Sequence, residues 1–181
     1  MVILGIDPGT TIMGYGVISI NRNEPVLLLL GSLDQRKIRD HFEKIAKIFE
    51  RTLELIRDYK PSALAIEAPF YGKNIQSMLK LGRAQGAAIS AALYKSVPVF
   101  EYAPRKIKQS ITGHGDASKE QIASFLQYIL KVELKPDTLD ATDGLAAALC
   151  HYYQVKNPVK AGSSKNWKDF IRNNPDRIKN K

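Results

Sequence analysis

Hydrophobic and polar residues first alternate in short runs along this chain and then fall into longer helical periods. The first run, Val2-Ile3-Leu4-Gly5-Ile6, carries one carboxylate, Asp7, to its end before Pro8-Gly9 turns the backbone. A second β-like run covers residues 14–20, the turn cluster Asn21-Arg22-Asn23-Glu24-Pro25 follows, and a third run spans 26–30. The spacing then predicts a helix over residues 38–59, with Ile38, Phe42, Ile45, Phe49, Leu53 and Ile56 in one apolar stripe and Pro61 ending it. Ala63-Leu64-Ala65-Ile66-Glu67 reads as a short buried strand that again ends in an acid. Residues 97–102 read as a fifth strand, whose Pro98 leaves one end unpaired.

Helices fill the rest. Residues 74–94 predict a second long helix, with Gly82 and Gly86 among alanines. Glycine inside a helix costs about 1 kcal/mol against alanine, so two of them four apart imply close approach by another backbone. Either the sheet or the same helix of a second subunit would supply it, and the second subunit is preferred. A short helix over 103–111 and a glycine loop over 112–117 come next. Ser118-Lys119-Glu120-Gln121 has capping-box form and opens a helix with Ile122, Phe125, Leu126 and Ile129 on one face. After Pro136 a last helix directs Ala141, Leu145, Ala148, Leu149 and Tyr152 inward. The order predicts an α/β domain over 1–156, built on a mixed five-stranded sheet flanked by helices. A tail, 157–181, is poor in hydrophobics, although Trp167, Phe170 and Ile171 within it would suffice for one docked helical turn.

Composition narrows the function classes. The 181 residues carry a net charge of +9, and 44% of them are hydrophobic, enough for a proper core. Residues 156–181 hold eight Lys/Arg against two acids, which puts +6 in that stretch and leaves +3 for the rest. Such an excess points to an anionic partner, most simply nucleic acid. No apolar run approaches the roughly 18 residues of a membrane span, and nothing resembles a signal peptide. One cysteine, Cys150, excludes an internal disulfide framework and suits a reducing cytosol. A cytoplasmic protein with no membrane partner is expected.

Four acids are the candidate chemistry. Asp7 closes the first strand, Glu67 closes the fourth, and Asp140 and Asp143 lie three apart on one face of the last helix. Each has an ordinary explanation alone, as a turn residue or as a complement to the helix macrodipole. If they converge, each close pair repels by about 4 kcal/mol at 4 Å in an intermediate dielectric. A divalent cation would relieve that repulsion, and an all-oxygen set selects Mg²⁺ or Mn²⁺ over zinc. Two such ions sharing one carboxylate form the arrangement for in-line phosphodiester displacement. Spacing alone does not bring the four together.

A resemblance does. Gly5-Ile-Asp7-Pro-Gly9, Gly14-Tyr-Gly-Val17, Ile66-Glu67, Phe70, Lys73-Asn74, Leu79-Lys-Leu-Gly82, Arg83-Ala-Gln-Gly86 and Asp140-Ala-Thr-Asp143-Gly-Leu-Ala146 resemble the RuvC-type Holliday-junction resolvases. The match runs in order over residues 1 to about 153. It implies an RNase H-like fold, a homodimer, and symmetric Mg²⁺-dependent nicking of four-way junction DNA in recombination and repair. It also implies the branch-migration proteins RuvA and RuvB as partners. Asp7, Glu67, Asp140 and Asp143 inherit the catalytic metal-ligand role for two Mg²⁺, with Mn²⁺ able to substitute and Asp7 shared by both ions. The family's last motif commonly reads Asp-Ala-Ala-Asp-Ala-Leu-Ala, so Thr142 and Gly144 are small departures. Some members have His at the position of Asp143.

DNA contacts follow in part from the residues. Lys119 opens a helix, where anions are already favoured, and is the first candidate for the scissile phosphate. Lys108 comes next, with Arg105 beside the same glycine loop. Phe70 and Tyr71 stand just beyond Glu67, and an exposed aromatic there would stack on an unpaired base. The resemblance supports Phe70 and adds Lys73, Asn74 and Arg83 to the DNA-binding set. His114, between two glycines, would assist proton transfer in a lesser role. Small residues at Pro8-Gly9 would leave room for a phosphate. Two other classes share parts of the pattern. The Asp7-Pro-Gly-Thr-Thr11 hairpin also resembles the phosphate-binding hairpin of actin-like and sugar-kinase ATPases, but no second hairpin appears. A catalytically silent junction-binding module is disfavoured because all four acids are present.

Overall fold

A computed structural model describes residues 1–69, 74–134 and 139–156. The first three strands, β1 (Val2–Asp7), β2 (Ile12–Asn21) and β3 (Glu24–Asp34), form an antiparallel meander. β4 (Ala63–Glu67) adds parallel to the far side of β1, and β5 (Val99–Tyr102) adds parallel to β4. The sheet order β3-β2-β1-β4-β5 confirms the expected mixed five-stranded sheet and leaves β5 on an edge. Pro98 sits just before that edge strand, and its carbonyl accepts the Leu64 N–H at 2.9 Å. β5 therefore begins at Val99 rather than at 97.

Alternation along β1 sorts the two cores. Leu4 and Ile6 face α1 (His41–Tyr59) and α2 (Ile75–Tyr94), packing with Leu64, Ile66, Ile48 and Leu55. Ile3 faces the opposite side, toward α3 (Pro104–Thr112), α4 (Lys119–Leu130) and α5 (Leu139–Lys156), with Ala65, Ile122, Leu126 and Leu145. Each such fully buried side chain adds about 1.5–3 kcal/mol. The result is a three-layer sandwich with β1 enclosed on both faces.

α1 starts at His41 rather than at 38 because Asp40 takes the N-cap, accepting the Glu43 N–H at 2.7 Å. The stripe also rotates. Ile48, Thr52, Leu55 and Ile56 are buried, whereas Phe42 is 74% exposed. Lys60 ends α1 in a left-handed conformation, its N–H on the Ile56 carbonyl, before Pro61. The Ser118 capping box is present in full at the start of α4, but Phe125 lies outward there, and Ala123 and Leu130 join Ile122 and Leu126 inside.

α5 is buried almost all round, as a central helix must be when it is apolar on every side. Its close seat on the sheet depends on glycine. A Cβ on Gly5 would strike the Gly144 carbonyl oxygen and Ala148, one on Gly14 the Asp140 carbonyl oxygen, and one on Gly16 the Leu145 Cα. Gly5, Gly14 and Gly16 thus take a close backbone approach within this chain, at positions other than Gly82 and Gly86. Around those two glycines no other described atom lies within 4 Å of a would-be Cβ.

Candidate active site

Strand period and register bring two of the acids to one place. Residues 3, 5 and 7 of β1 share the face toward α5, as do residues 63, 65 and 67 of β4. Gly5 pairs with Ala65 and Ile6 with Ile66, so the next step of the parallel register sets Asp7 beside Glu67. On β2, Gly14 lies opposite Asp7, and the Asp140 carbonyl rests on Gly14. That contact lowers the first turn of α5, with Asp140 and Asp143, over the same end of the sheet. The neighbourhood is electrostatic as well. Burial raises Asp7 to about 6, with the charges of Asp143 and Asp140 adding and Lys119 opposing. Burial, Asp7 and Asp143 push Glu67 to about 8 against Lys108 and Lys119.

Lys119 is the cation inside this group. Its Nζ lies 3.0 Å from Asp143 Oδ2 and 3.7 Å from Asp140 Oδ1. Burial depresses it, but the hydrogen bond to Asp143 and the charges of Asp143, Asp140 and Asp7 outweigh that and raise its pKa. Lys108 Nζ donates to the Ala117 carbonyl at 2.9 Å, which anchors it on the glycine loop within range of Glu67. Glu67, Lys108, Lys119 and Asp143 line one cleft of about 260 Å³, floored by Ile107 and Ile122. Asp143 is the sheltered acid of α5, its side chain 16% exposed, against 54% for Asp140.

Among the described residues, no three His, Cys, Asp or Glu side chains stand close enough to enclose an ion as they are. Lys119 draws both α5 acids to itself, while Asp7 and Glu67 stand side by side and keep their protons to higher pH than free carboxyls do. Four oxygen-donor acids, two of them held far above the ordinary carboxylate range, are chemically matched to a hard divalent cation.

A pH dependence follows. In the unfolded chain Asp7 and Glu67 titrate near 3.8 and 4.5, and in the fold near 6 and 8. The folded state thus holds protons that the unfolded chain has released, so the contribution present at low pH is lost as pH rises toward about 8. Without divalent cations, Tm is expected to fall between about pH 5 and about pH 8, and the Tm gain on adding Mg²⁺ to grow over the same window. An Mg²⁺ gain equal at both ends would remove these carboxylates as the site.

The other expected contacts are placed unevenly. Arg105 is exposed, 3.9 Å from Asp116, and its side chain covers Gly115. Asn74 caps α2, its Oδ1 accepting the Ser77 N–H at 3.1 Å. Arg83 is exposed on α2 and His114 on the glycine loop. Phe70, Tyr71 and Lys73 lie outside the described residues, as does the tail 157–181. A Cβ on Gly9 would meet the Ile12 carbonyl across the turn. The glycine serves the turn itself. Arg36, close enough to Asp140 to feel its charge, went unread in the sequence. Its signal is a basic cluster just past a strand that finishes at the same end of the sheet.

Comparison with known proteins gives a consistent picture. A family model described as crossover junction endodeoxyribonuclease RuvC matches residues 3–151. A curated Bacteroides fragilis protein of that name is 56% identical over 180 residues, covering 98% of this chain and 96% of its own. One from Chlorobium phaeovibrioides is 39% identical over 188 residues, covering 98% of this chain and 100% of its own. Among solved structures, Thermus thermophilus RuvC in complex with Holliday junction substrate superposes with a TM-score of 0.80 at 33% identity, over 87% of this chain and 96% of that one.

Proposed function

The chain belongs to the RuvC family of crossover junction endodeoxyribonucleases, and from that premise we propose that it resolves four-way DNA junctions by metal-dependent hydrolysis at Asp7, Glu67, Asp140 and Asp143. The observation that carries the reading is the gathering of four carboxylates at the joint end of β1, β4 and α5, with Asp7 beside Glu67 by register and Asp140 and Asp143 brought over them on α5. Two Mg²⁺ ions would supply an activated water and a stabilised leaving oxygen; Mn²⁺ is expected to substitute. The chain's own part is positional. The rigid register of β1 against β4 fixes Asp7 beside Glu67, and α5 delivers Asp140 and Asp143 from above. Lys119 neutralises these acids in the metal-free fold and is free to turn to a phosphate once a cation takes its place. Lys108 lines the cleft with Glu67 and is held there by its bond to the Ala117 carbonyl of the glycine loop. Phe70, Tyr71, Lys73, Asn74, Arg83 and Arg105 complete the proposed DNA contacts. Cleavage of a synthetic four-way junction, but not of linear duplex of the same sequence, tests the reading.

Two symmetric nicks require two active sites, and α2 offers the surface to pair them. Ile75, Leu79, Gly82 and Gly86 recur three and four apart along it and Leu93 follows seven further on; Ile75, Leu79 and Leu93 are exposed, and no described atom outside their own helix lies within 4 Å of a Cβ built on either glycine. A homodimer through this stripe gives Gly82 and Gly86 the close backbone neighbour that the described residues of their own chain do not supply. Leu79→Glu is expected to yield a monomer by light scattering and to uncouple the two nicks. A dimer unchanged in that variant would move the interface elsewhere. RuvA and RuvB are the proposed partners on the junction. Among the described residues no helix is long and apolar enough to cross a membrane, and we place the protein in the cytoplasm with the DNA it cuts.

A further inference from the structure

The nuclease reading assigns cations to one side of the acids only. Lys108 enters from α3, which follows the edge strand β5. The opposite side, toward β3, has a cation arrangement of its own. β3 ends at Asp34, paired with Ile12 of β2, two residues from the Gly14 on which the Asp140 carbonyl rests. The next residue, Gln35, donates its N–H to the Thr11 carbonyl at 2.8 Å, which ties the β3–α1 turn to the loop that follows Asp7. Gln35 is wholly buried, and the Ile38 N–H closes the turn on its carbonyl at 3.1 Å. Arg36, Lys37 and Arg39 are left exposed around this anchored core.

Arg36 is oriented rather than loose. Its Nε lies 3.0 Å from both oxygens of Asp34 and its Nη2 2.6 Å from Oδ2, while its own N–H donates to Oδ1 at 3.0 Å. Nη1 has no partner among the described residues. One edge of the guanidinium is therefore fixed and the other is open. An exposed pair of this kind adds little stability, so its use is better sought in the edge it leaves free. A planar fork that holds a carboxylate on one edge and presents N–H groups on the other is suited to a phosphate, and lysine cannot reproduce it. The turn is also near enough to Asp140 for the two charges to sense one another.

We propose that the β3–α1 turn is a second phosphate-binding flank of the active site, in which the free edge of Arg36 holds a backbone phosphate of the junction on the β3 side of the carboxylates. This rests on the nuclease reading. With Lys108 on the other side, the bound strand is gripped on both sides of the acids, and the register of the cut is set between two fixed points.

The test is junction binding without divalent cations across a salt series, for the full chain and three variants. Arg57→Ala is the matched control, because Arg57 is also exposed and paired to a neighbouring acid at 2.8 Å, but near the C-terminal end of α1. Arg36→Ala is expected to weaken binding about 5–10-fold near 0.1 M salt and to reduce the log–log salt slope by about 0.9, the loss of one phosphate contact. Arg36→Lys is expected to restore the slope but only part of the affinity, and Arg57→Ala to change neither. An Arg36→Ala protein with unchanged slope and affinity, or an equal loss in Arg57→Ala, overturns this inference alone. Failure of the unmodified chain to prefer junctions over duplex overturns the nuclease reading as well.

Discussion

Asp7→Asn is expected to bind a four-way junction as tightly as the unmodified protein and to cut it at least about a thousandfold more slowly. That factor corresponds to roughly 4 kcal/mol of transition-state stabilisation. Asp7 stands at the centre of the set, beside Glu67 by register and within the fields of Asp143 and Asp140. Removing its charge removes the carboxylate proposed to serve both ions. A second effect runs the other way. Asp7 is raised to about 6, so at about pH 8 without divalent cations it is ionised at a cost that the asparagine does not bear. The variant is therefore expected to melt higher than the unmodified protein under those conditions and to gain less from Mg²⁺. Greater stability with lost cleavage separates a chemical role from simple misfolding. An asparagine variant that cuts normally in Mg²⁺ would end the metal-ligand reading of Asp7.

The second large effect is expected beneath α5. Gly14→Ala would thrust a methyl group into the Asp140 carbonyl. Overpacking of this kind costs about 1–3 kcal/mol, and here the displaced group is the backbone that carries two of the four acids. Loss of cleavage should therefore exceed what the loss of stability explains. Gly16→Ala is the control, since its Cβ would meet the Leu145 Cα at 2.6 Å, further along the helix from Asp140. It should unfold as readily in urea while retaining more activity per folded molecule. Equal activity in the two variants would show that the height of the first turn of α5 does not matter.

These expectations rest on features that were unequally legible in the sequence. Each strand that delivers an acid is announced by an apolar run that stops at a carboxylate, and the Ser118 capping box marks the start of α4 unambiguously. The meeting of Asp7 with Glu67 was not legible from local pattern, because it depends on a parallel register between strands some sixty residues apart. Family resemblance supplied the grouping, and the register supplies a physical reason for it. The glycines show the limit most clearly. Gly82 and Gly86 carry the stronger local signal, being inside a helix, yet among the described residues nothing outside that helix meets them. Gly5, Gly14 and Gly16 read as ordinary strand residues but take the backbone of α5. A glycine announces close approach and does not name what approaches.

Charges were harder to read than apolar residues. Lys119 stood out because it opens a helix, but its salt bridges to Asp143 and Asp140 require α4 and α5 to be packed together. Arg36 sits in a polar stretch that resembles any solvated turn. Only the strand register shows that β3 finishes at the same end of the sheet as the acids. Phe42 and Phe125 erred in the opposite direction, since each fits a helical period and each is exposed. An apolar period gives the direction of a face to within about one residue, and packing against the sheet decides which members turn inward.

The most direct test of the central claim is to incubate the full chain with a synthetic four-way junction, with and without Mg²⁺, and to map the nicks on all four strands. Paired nicks at symmetric positions on two opposing strands, present with Mg²⁺ and absent in chelator, are the expected result. Cutting that survives removal of the cation, or nicks scattered equally over junction and linear duplex, would contradict a two-metal junction resolvase built on Asp7, Glu67, Asp140 and Asp143.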